Sequence, residues 1–307
     1  MLANEKDVIK RVADAKSRLH NIAVPYPRQA ELQAALDELR QTTALTRGSP
    51  QQGVYLFGPS YSGKTFSAKQ YIEHHLSLRT DGDTSVPAAL VTVDPEASMA
   101  ALASDILRGI GCRRPDAGST DIRWERVRNE LRARQVDLLI FDEFQRAGRR
   151  VGNRTAIAGK IQDLMEQGYC SVALLGLQDA EDILSAAPDL PNRFDVPVDM
   201  PPLDWSDADD RAIFERFVAD YDHAIITEEI LPERSAWVDD HSVLERLMES
   251  SSGLIGQCVR LIQVAVTRCV REGHPCISSR DLADAVTDWA VRQKRISYNP
   301  FETTGAA

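Results

Sequence analysis

The chain has 307 residues, enough for two compact domains or for one domain with a large appendage. Hydrophobic residues make up 43% of it, which allows a substantial core, and no stretch of 18 uncharged apolar residues that would cross a membrane occurs. The net charge of −10 excludes a uniformly basic nucleic-acid binder.

Two helices are predicted in the first 45 residues. Apolar residues recur at helical spacing over residues 3–20 and again over residues 28–45, and Ile22–Pro27 breaks the pattern between them. The charged N-terminus lacks the apolar core of a signal peptide, so we expect a cytoplasmic protein.

Five short apolar runs follow, and each is a candidate buried strand. They are Val54–Phe57, Ala89–Val93, Leu138–Phe141, Val172–Leu175 and Val196–Met200. Helical stretches separate most of them, which predicts an α/β fold with a five-stranded parallel sheet and helices on both faces. The strand pattern stops near Pro201, and helical patterns continue to about residue 293. We expect an N-terminal segment (1–27), an α/β domain (28–203), a small helical lid (204–297) and a flexible tail (298–307).

The cysteines predict no special chemistry. They are scattered, odd in number and without a CxxC pair. This pattern argues against a metal site or a disulfide framework and favours buried thiols in a reducing compartment. The five are Cys112, Cys170, Cys258, Cys269 and Cys276.

Residues 58–65 read GPSYSGKT, which matches the phosphate-binding pattern GxxxxGK[ST]. A predicted strand precedes the loop and a predicted helix follows it, as this loop requires, so a chance glycine-rich turn is a poor explanation. Lys64 would reach the β- and γ-phosphates of a nucleotide, Thr65 would bind Mg²⁺, and the helix N-terminus would face the anion. The residues expected at the nucleotide are Gly58, Pro59, Ser60, Tyr61, Ser62, Gly63, Lys64, Thr65 and Phe66.

A second acidic motif follows the third predicted strand. Leu138–Phe141 leads directly to Asp142 and Glu143, at the carboxyl end where ligands of open α/β sheets bind. Asp142 would hold Mg²⁺ mostly through water, and Glu143 would polarise the attacking water. Alone, the pair would be better explained as the start of a loop, but the phosphate-binding loop about 80 residues upstream favours the catalytic interpretation. We expect ATP as the nucleotide, since no N-K-x-D guanine motif occurs.

With these motifs, residues 20–290 resemble the TniB/TnsC family of AAA+ transposition ATPases, relatives of the phage Mu B protein. The resemblance includes Tyr26-Pro27 before the second helix, GPSYSGKT, LLIFDEFQ, LPNRFDVPVDMPPLDW, SSGLIGQCVRLIQVAV and ISSRDLADA. The phosphate-binding loop and the acidic pair are common to many ATPases. The NRF segment with its proline-rich continuation, and the later G-x-I-G helix, are more particular to this family.

The resemblance implies a composite ATPase site. Arg193 matches an arginine finger that enters the neighbouring subunit's site, although a surface arginine capping a helix is the alternative. The segment Ile22–Tyr26 matches the stretch covering the adenine, and the helix after Gly253 matches the sensor 2 region, where Arg260 is the nearest arginine.

Three positions depart from the family pattern. Gln178 is the only polar residue near the expected sensor 1 position, Gln145 stands where histidine is frequent, and Arg260 lies one turn later than a sensor 2 arginine should. Gln178 and Arg260 are nevertheless the residues expected to contact the nucleotide from these two regions. We therefore expect slow, assembly-dependent hydrolysis.

Positive charge is concentrated in one region. Residues 108–160 contain 13 Lys and Arg against 7 Asp and Glu. By resemblance, the loop after Glu143 would face DNA in the pore of a ring or filament and would contact phosphates without reading sequence. The alternative is a contact with an acidic neighbouring subunit. The expected DNA-binding residues are Arg146, Arg149, Arg150 and Arg154.

A second arginine cluster lies on one predicted helix, and there we favour a solvated face paired with Glu125 and Glu130. Its members are Arg123, Arg126, Arg128, Arg132 and Arg134.

Three functions remain open at this stage. The first is a transposition regulator that oligomerises on double-stranded DNA, marks a target and recruits or activates a DDE transposase, together with a target-recruiting factor. The second is a replication initiator or helicase loader, which usually adds a winged-helix domain after the lid; we expect no room for one here. The third is a nucleotide switch that binds protein partners.

Overall fold

The computed structural model describes residues 3–80, 84–95, 98–149, 151–195 and 197–302. The chain divides into two compact units. Residues 28–200 form one, called here the α/β unit, and residues 1–27 with residues 201–307 form the other, called here the helical unit. The N-terminal helix therefore belongs to the same unit as the C-terminal helices.

A parallel sheet forms the centre of the α/β unit. Its described strands are β1 (Gly53–Phe57), β2 (Ala88–Thr92), β3 (Leu138–Asp142) and β4 (Ser171–Gly176), in the spatial order β1-β4-β3-β2. Every residue of β3 and β4 is buried, as expected for central strands covered on both faces. The prediction of a parallel α/β sheet is confirmed.

The prediction of a fifth strand at Val196–Met200 is wrong. In the described residues the sheet has four strands, and the segment beside β1 contributes one isolated bridge, between Gly53 and Phe194. Val196 itself lies outside the described residues.

A proline explains why this ladder stops. The Asp195 N–H donates to the Gly53 carbonyl at 2.9 Å, and in a parallel pair the next donor would be residue 197. That residue is Pro197, which has no N–H. The Tyr55 carbonyl instead accepts from the Val198 N–H at 3.1 Å, one residue out of register.

The helices begin and end at local sequence signals. Pro27 opens the second helix, at the position where its missing N–H costs nothing, and Leu32 and Leu36 of that helix are fully buried. The fourth helix is capped by Ser98, whose hydroxyl accepts from the Ala101 N–H at 3.1 Å. In chain order the helices are α1 (Ala3–Asn21), α2 (Pro27–Leu45), α3 (Lys64–Ser77), α4 (Met99–Gly109), α5 (Thr120–Ala133), α6 (Arg154–Glu166), α7 (Glu181–Leu184), α8 (Ala208–Thr227), α9 (His241–Ser250), α10 (Ile255–Glu272) and α11 (Ser279–Ala285).

In the helical unit, α1 packs against α10, and α10 packs against α11. The α10 residues Cys258, Leu261, Ala265 and Cys269 recur at helical spacing and are fully buried, which makes this helix the core of the unit. α11 continues as a π-helix over Val286–Val291.

No single helix in the described ranges is long and apolar enough to cross a membrane. The bent pair α9 and α10, which meet at 110°, passes that test by length and composition when taken together.

Candidate active site

The loop between β1 and α3 turns sharply at two residues. Tyr61 has a φ of 68° and Gly63 a φ of 101°, both in the left-handed region. Such alternation turns successive N–H groups toward one concavity, which suits an anion. A Cβ at position 63 would also lie 3.0 Å from Gln29 Nε2, so both backbone conformation and space favour glycine there.

Lys64 is the buried cation of this loop. Its Nζ donates to the carbonyl oxygens of Gly58 at 2.9 Å and Pro59 at 2.7 Å, and to Ser62 Oγ at 3.1 Å. Burial lowers the pKa of Lys64 to about 8, although the nearby Asp142 and Glu143 carboxylates act in the opposite direction. An anion bound by the loop N–H groups would place a negative charge next to the Lys64 amine, whose hydrogen-bond acceptors in the described part of the chain are all neutral.

The side chains of Thr65 and Asp142 are hydrogen-bonded to each other next to the loop. Thr65 Oγ1 donates to Asp142 Oδ1 at 3.0 Å, bringing the start of α3 to the end of β3. Burial raises the pKa of Asp142, while the Thr65 hydrogen bond lowers it. A hydroxyl and a carboxylate are oxygen ligands of the kind that Mg²⁺ takes, directly or through water, so the chemistry of these two side chains suits a magnesium site.

Glu143 follows Asp142 in a left-handed conformation, with a φ of 58°. Its Oε2 accepts from Gln145 Nε2 at 2.9 Å and lies 3.2 Å from Arg146 Nη2. Gln145 Oε1 accepts in turn from the Leu177 N–H at 3.1 Å. One glutamine therefore joins the expected catalytic carboxylate to the end of β4.

Residues 19–203, more than half of the chain, match the family described as "TniB: Bacterial TniB protein". The chain belongs to the TniB family. No curated protein sequence matches this TniB-family protein.

Solved structures of archaeal proteins resemble the TniB-family protein in fold. Cdc6p of Pyrobaculum aerophilum is 14% identical with a TM-score of 0.63, over 89% of this chain and 70% of that one. ORC1 of Aeropyrum pernix, solved in complex with DNA, is 18% identical with a TM-score of 0.60, over 86% and 66% of the two chains. ORC2 of Aeropyrum pernix, solved as ADPNP-ADP complexes, is 13% identical with a TM-score of 0.63, over 88% and 71%. At such identities the likeness shows a shared fold alone.

The two glutamines that depart from the family pattern occupy different surroundings. Gln145 contacts Glu143, whereas Gln178 is exposed and its amide donates to Glu181. The family pattern predicts a nucleotide contact for Gln178 and marks Gln145 only as a departure. The position of Gln145, two residues after the catalytic carboxylate candidate, is the signal in the sequence for its contact with Glu143.

Arg193 of the TniB-family protein lies at the end of a short 3₁₀ turn, Pro191–Arg193. Its Nη2 pairs with Glu166 Oε1 at 2.9 Å, while its buried Nε has no hydrogen-bond partner among the described residues. Glu166 ends α6, and its pKa is lowered by hydrogen bonds from Gln162 and Arg193. The side chain is thus held by one surface carboxylate, and its role as an arginine finger stays a prediction.

The predicted DNA-binding loop has more structure than its composition indicates. It forms 3₁₀ turns over Phe144–Gly148 and Val151–Asn153. Arg146 donates to the Val93 carbonyl besides pairing with Glu143, and Arg154 pairs with Asp182 at 3.0 Å.

Because of these contacts, the predicted DNA-binding arginines differ in their exposure to solvent. Arg149 is exposed, whereas Arg146 and Arg154 are partly buried in their ion pairs. Arg150 lies outside the described residues. Contact of all four with DNA stays a prediction.

The arginines of α5 serve the fold of the α/β unit. Arg126 donates to the carbonyls of residues 113, 114 and 117, Arg134 pairs with Glu130 at 2.8 Å, and Arg132 lies 4.5 Å from the centre of the Tyr169 ring. The Glu130 pairing agrees with the solvated-face interpretation of this cluster.

The remaining candidates lie in the helical unit. Arg260 is on α10 and lines an open cavity of about 400 Å³ together with Lys16, Arg268 and Arg271. Tyr26, in the segment expected to cover adenine, packs edge-on against Phe217 with ring centroids 6.2 Å apart. The nucleotide contacts expected of both segments stay predictions.

Proposed function

We propose that this TniB-family protein binds ATP with Mg²⁺ and hydrolyses it. The observation that carries the proposal is the 3.0 Å contact of Thr65 with Asp142, next to the buried Lys64 amine, in a chain with the AAA+ fold. Lys64 would exchange the loop carbonyls for phosphate oxygens, and Thr65 and Asp142 would hold the ion, which neutralises charge on the transferring phosphoryl group.

Glu143 acts as the base in this proposal. Its carboxylate orients and polarises the attacking water, as a general base does. Gln145 and Arg146 contact the same carboxylate oxygen and so fix its direction. Gln145 also connects that carboxylate to the backbone of Leu177. A shift of the backbone at the end of β4 would therefore move the Glu143 carboxylate through the side chain of Gln145.

Hydrolysis depends on assembly in this proposal because Arg193 belongs to the neighbouring subunit's site. In a single subunit its guanidinium pairs with Glu166, and because both side chains are partly exposed, at 27% and 37%, water competes with this one ion pair. Exchanging this partner for a phosphate of the next subunit costs little. A single subunit should hydrolyse ATP slowly, because its site lacks the guanidinium charge of a neighbour's Arg193.

The assembled protein would bind double-stranded DNA and regulate transposition. The TniB family membership and the basic region 108–160 support this reading. A single subunit, acidic overall, would bind DNA weakly, whereas adjacent subunits would place many Arg149 and Arg150 side chains along one backbone. The ATP-loaded assembly would mark the target and recruit or activate a DDE transposase, with a target-recruiting factor as a further partner.

DNA binding tests this function directly. Fluorescence anisotropy with ATP, with ADP and without nucleotide, across a salt series, should give binding that needs ATP, ignores sequence and weakens steeply with salt. Arg149→Ala with Arg150→Ala should reduce affinity about equally for unrelated sequences and flatten the salt slope.

The matched control removes the same charge from the same basic region. Arg113→Ala with Arg114→Ala alters two exposed arginines before α5, and DNA binding should change much less. Failure to bind DNA in every nucleotide state would defeat the transposition function and favour a nucleotide switch for protein partners.

A replication-initiator function is the second candidate, favoured by the fold shared with ORC1 and Cdc6p. The discriminating assay is strand transfer by a DDE transposase with and without this protein. Stimulation that requires ATP and DNA supports the regulator, and loading of a helicase onto DNA supports the initiator.

A further inference from the structure

Three possible metal ligands converge in the helical unit, away from any motif that the sequence analysis used. The Sγ of Cys269, a ring nitrogen of His274 and a carboxylate oxygen of Asp281 all lie within 4.8 Å of one another. Cys269 and Asp281 are buried and His274 is exposed. Two of these three residues stand on different helices, with the third in the turn between them.

The turn after α10 holds His274 beside Cys269. The Cys269 carbonyl accepts from the Gly273 N–H at 2.7 Å and from the His274 N–H at 2.9 Å. Gly273 has a φ of 80°, so the chain reverses there in a conformation that other residues adopt at a cost. The backbone of this turn therefore places His274 next to the last turn of α10.

The start of α11 fixes the third ligand. Ser278 and Asp281 form a capping box, in which Asp281 Oδ2 accepts from the Ser278 N–H at 2.9 Å and from the Ser278 hydroxyl at 2.6 Å. The other oxygen, Oδ1, faces His274 Nδ1 at 3.3 Å. Capping thus uses one carboxylate oxygen and directs the other into the cluster.

The surroundings suit a divalent cation. His274 Nε2 lies 3.5 Å from Glu272, so a histidine that binds metal through Nδ1 would have a carboxylate to orient its other nitrogen. Arg268 opposes a cation, because its Nε lies 3.9 Å from Asp281 Oδ1. That arginine is also engaged by Glu272 at 3.1 Å and Asp284 at 2.7 Å, and these acids outnumber it.

An open cavity of about 370 Å³ reaches the cluster, and Cys269 and His274 are part of its lining. Gly273 and Pro275 line it beside them. An ion therefore has an entry path from solvent, and a water molecule has room to take a further coordination position.

We propose that Cys269, His274 and Asp281 form a Zn²⁺ site. A thiolate, an imidazole and a carboxylate are the ligand set that Zn²⁺ accepts with three protein donors and one open position. The separation of 3.3 Å between His274 Nδ1 and Asp281 Oδ1 is that of neighbouring ligands around a tetrahedral ion with bonds of about 2.0 Å. On binding, the Cys269 thiol releases its proton to solvent, and the sulfur electron pair forms the Zn–S bond.

The ion would join the end of α10 to the start of α11. It binds the folded unit and not the unfolded chain, so it stabilises the unit by mass action. All three ligands belong to the helical unit, whereas the phosphate-binding loop belongs to the α/β unit. Zinc would thus stabilise the helical unit.

Binding of ZnCl₂ to the full-length protein tests the proposal, by isothermal titration in a buffer that contains Mg²⁺. We expect one Zn²⁺ per chain with a Kd below about 1 μM. Co²⁺ should give the near-ultraviolet charge-transfer band of a thiolate ligand. His274→Ala, which alters an exposed side chain, should lower the Zn²⁺ affinity at least about tenfold, and Cys269→Ser should abolish the cobalt band.

Two controls use the same residue types. Cys258→Ser removes another buried α10 thiol, and His223→Ala removes an exposed α8 histidine; both should bind Zn²⁺ like the parent. Lys64→Ala should also retain the zinc site, which separates this result from ATP binding. Circular dichroism verifies that each variant folds. The proposal is overturned by the absence of saturable Zn²⁺ binding, or by equal affinity in the parent and His274→Ala, and the cluster is then a hydrogen-bonded helix cap only.

Discussion

Gln145 offers the sharpest test of the proposed hydrolysis. Gln145→Leu keeps the size of the side chain and removes both of its hydrogen bonds, the 2.9 Å bond to Glu143 Oε2 and the 3.1 Å bond from the Leu177 N–H. Without them the Glu143 carboxylate keeps its contact with Arg146 and loses its connection to β4.

The size of the effect follows from the exposure of Glu143. A hydrogen bond to a charged group contributes about 1.5–3 kcal/mol, and the side chain of Glu143 is 38% exposed, which puts the bond at the lower end. Since about 1.4 kcal/mol corresponds to a factor of ten in rate, kcat should fall roughly tenfold. The Kd for ATP should stay unchanged, because Gln145 makes none of the Lys64 or Thr65 contacts.

The assay is single-turnover hydrolysis of saturating ATP in the presence of DNA, with nucleotide affinity measured separately. The matched control is Gln70→Leu, since Gln70 donates to Glu73 at 3.3 Å on the exposed face of α3. Gln178→Ala gives a second kcat to compare, because the family resemblance predicts a nucleotide contact at this residue. An unchanged kcat in Gln145→Leu would refute the view that this glutamine orients the base.

Three further changes test the rest of the site. Lys64→Ala removes the charge on the β- and γ-phosphates, so ATP binding measured by titration should fail; normal affinity would refute the site. Glu143→Gln should keep ATP binding and slow hydrolysis by at least about 10²-fold, so that assemblies seen by electron microscopy persist; unchanged turnover would mean that another residue positions the water. Arg193→Ala should bind ATP as a single subunit and lose assembly-stimulated hydrolysis. Mixing it with Lys64→Ala should restore activity at interfaces with both intact residues, and lack of rescue despite co-sedimentation would place Arg193 within its own subunit's site.

The candidate active-site motifs can be predicted from the sequence because they are local. Glycine at position 63 satisfies a left-handed turn, and Lys64 and Thr65 follow it within two residues. Asp142 follows four apolar residues, a run whose length and composition favour a buried strand, and the strand is present. Parallel strands then bring their carboxyl ends to one edge, so the meeting of Thr65 with Asp142 follows from topology.

Positions that depend on a partner distant in sequence could not be read in this way. The fifth strand was predicted from its apolar run, but the register with β1 fails at Pro197, and only the paired chain shows this. The sequence likewise gives no sign that Arg146 donates to the Val93 carbonyl or that Arg154 pairs with Asp182.

The sequence by itself determined the class of fold, through the alternation of apolar runs with helical stretches, and it predicts the phosphate-binding loop and the acidic pair, each from fewer than ten consecutive residues. The tertiary structure alone decided that Gln145 connects Glu143 to Leu177, and that Cys269, His274 and Asp281 come together. The cysteine pattern had argued against any metal site. Short-range geometry follows from local backbone preferences, whereas a contact between helices requires the packing of the whole unit, which no local pattern contains.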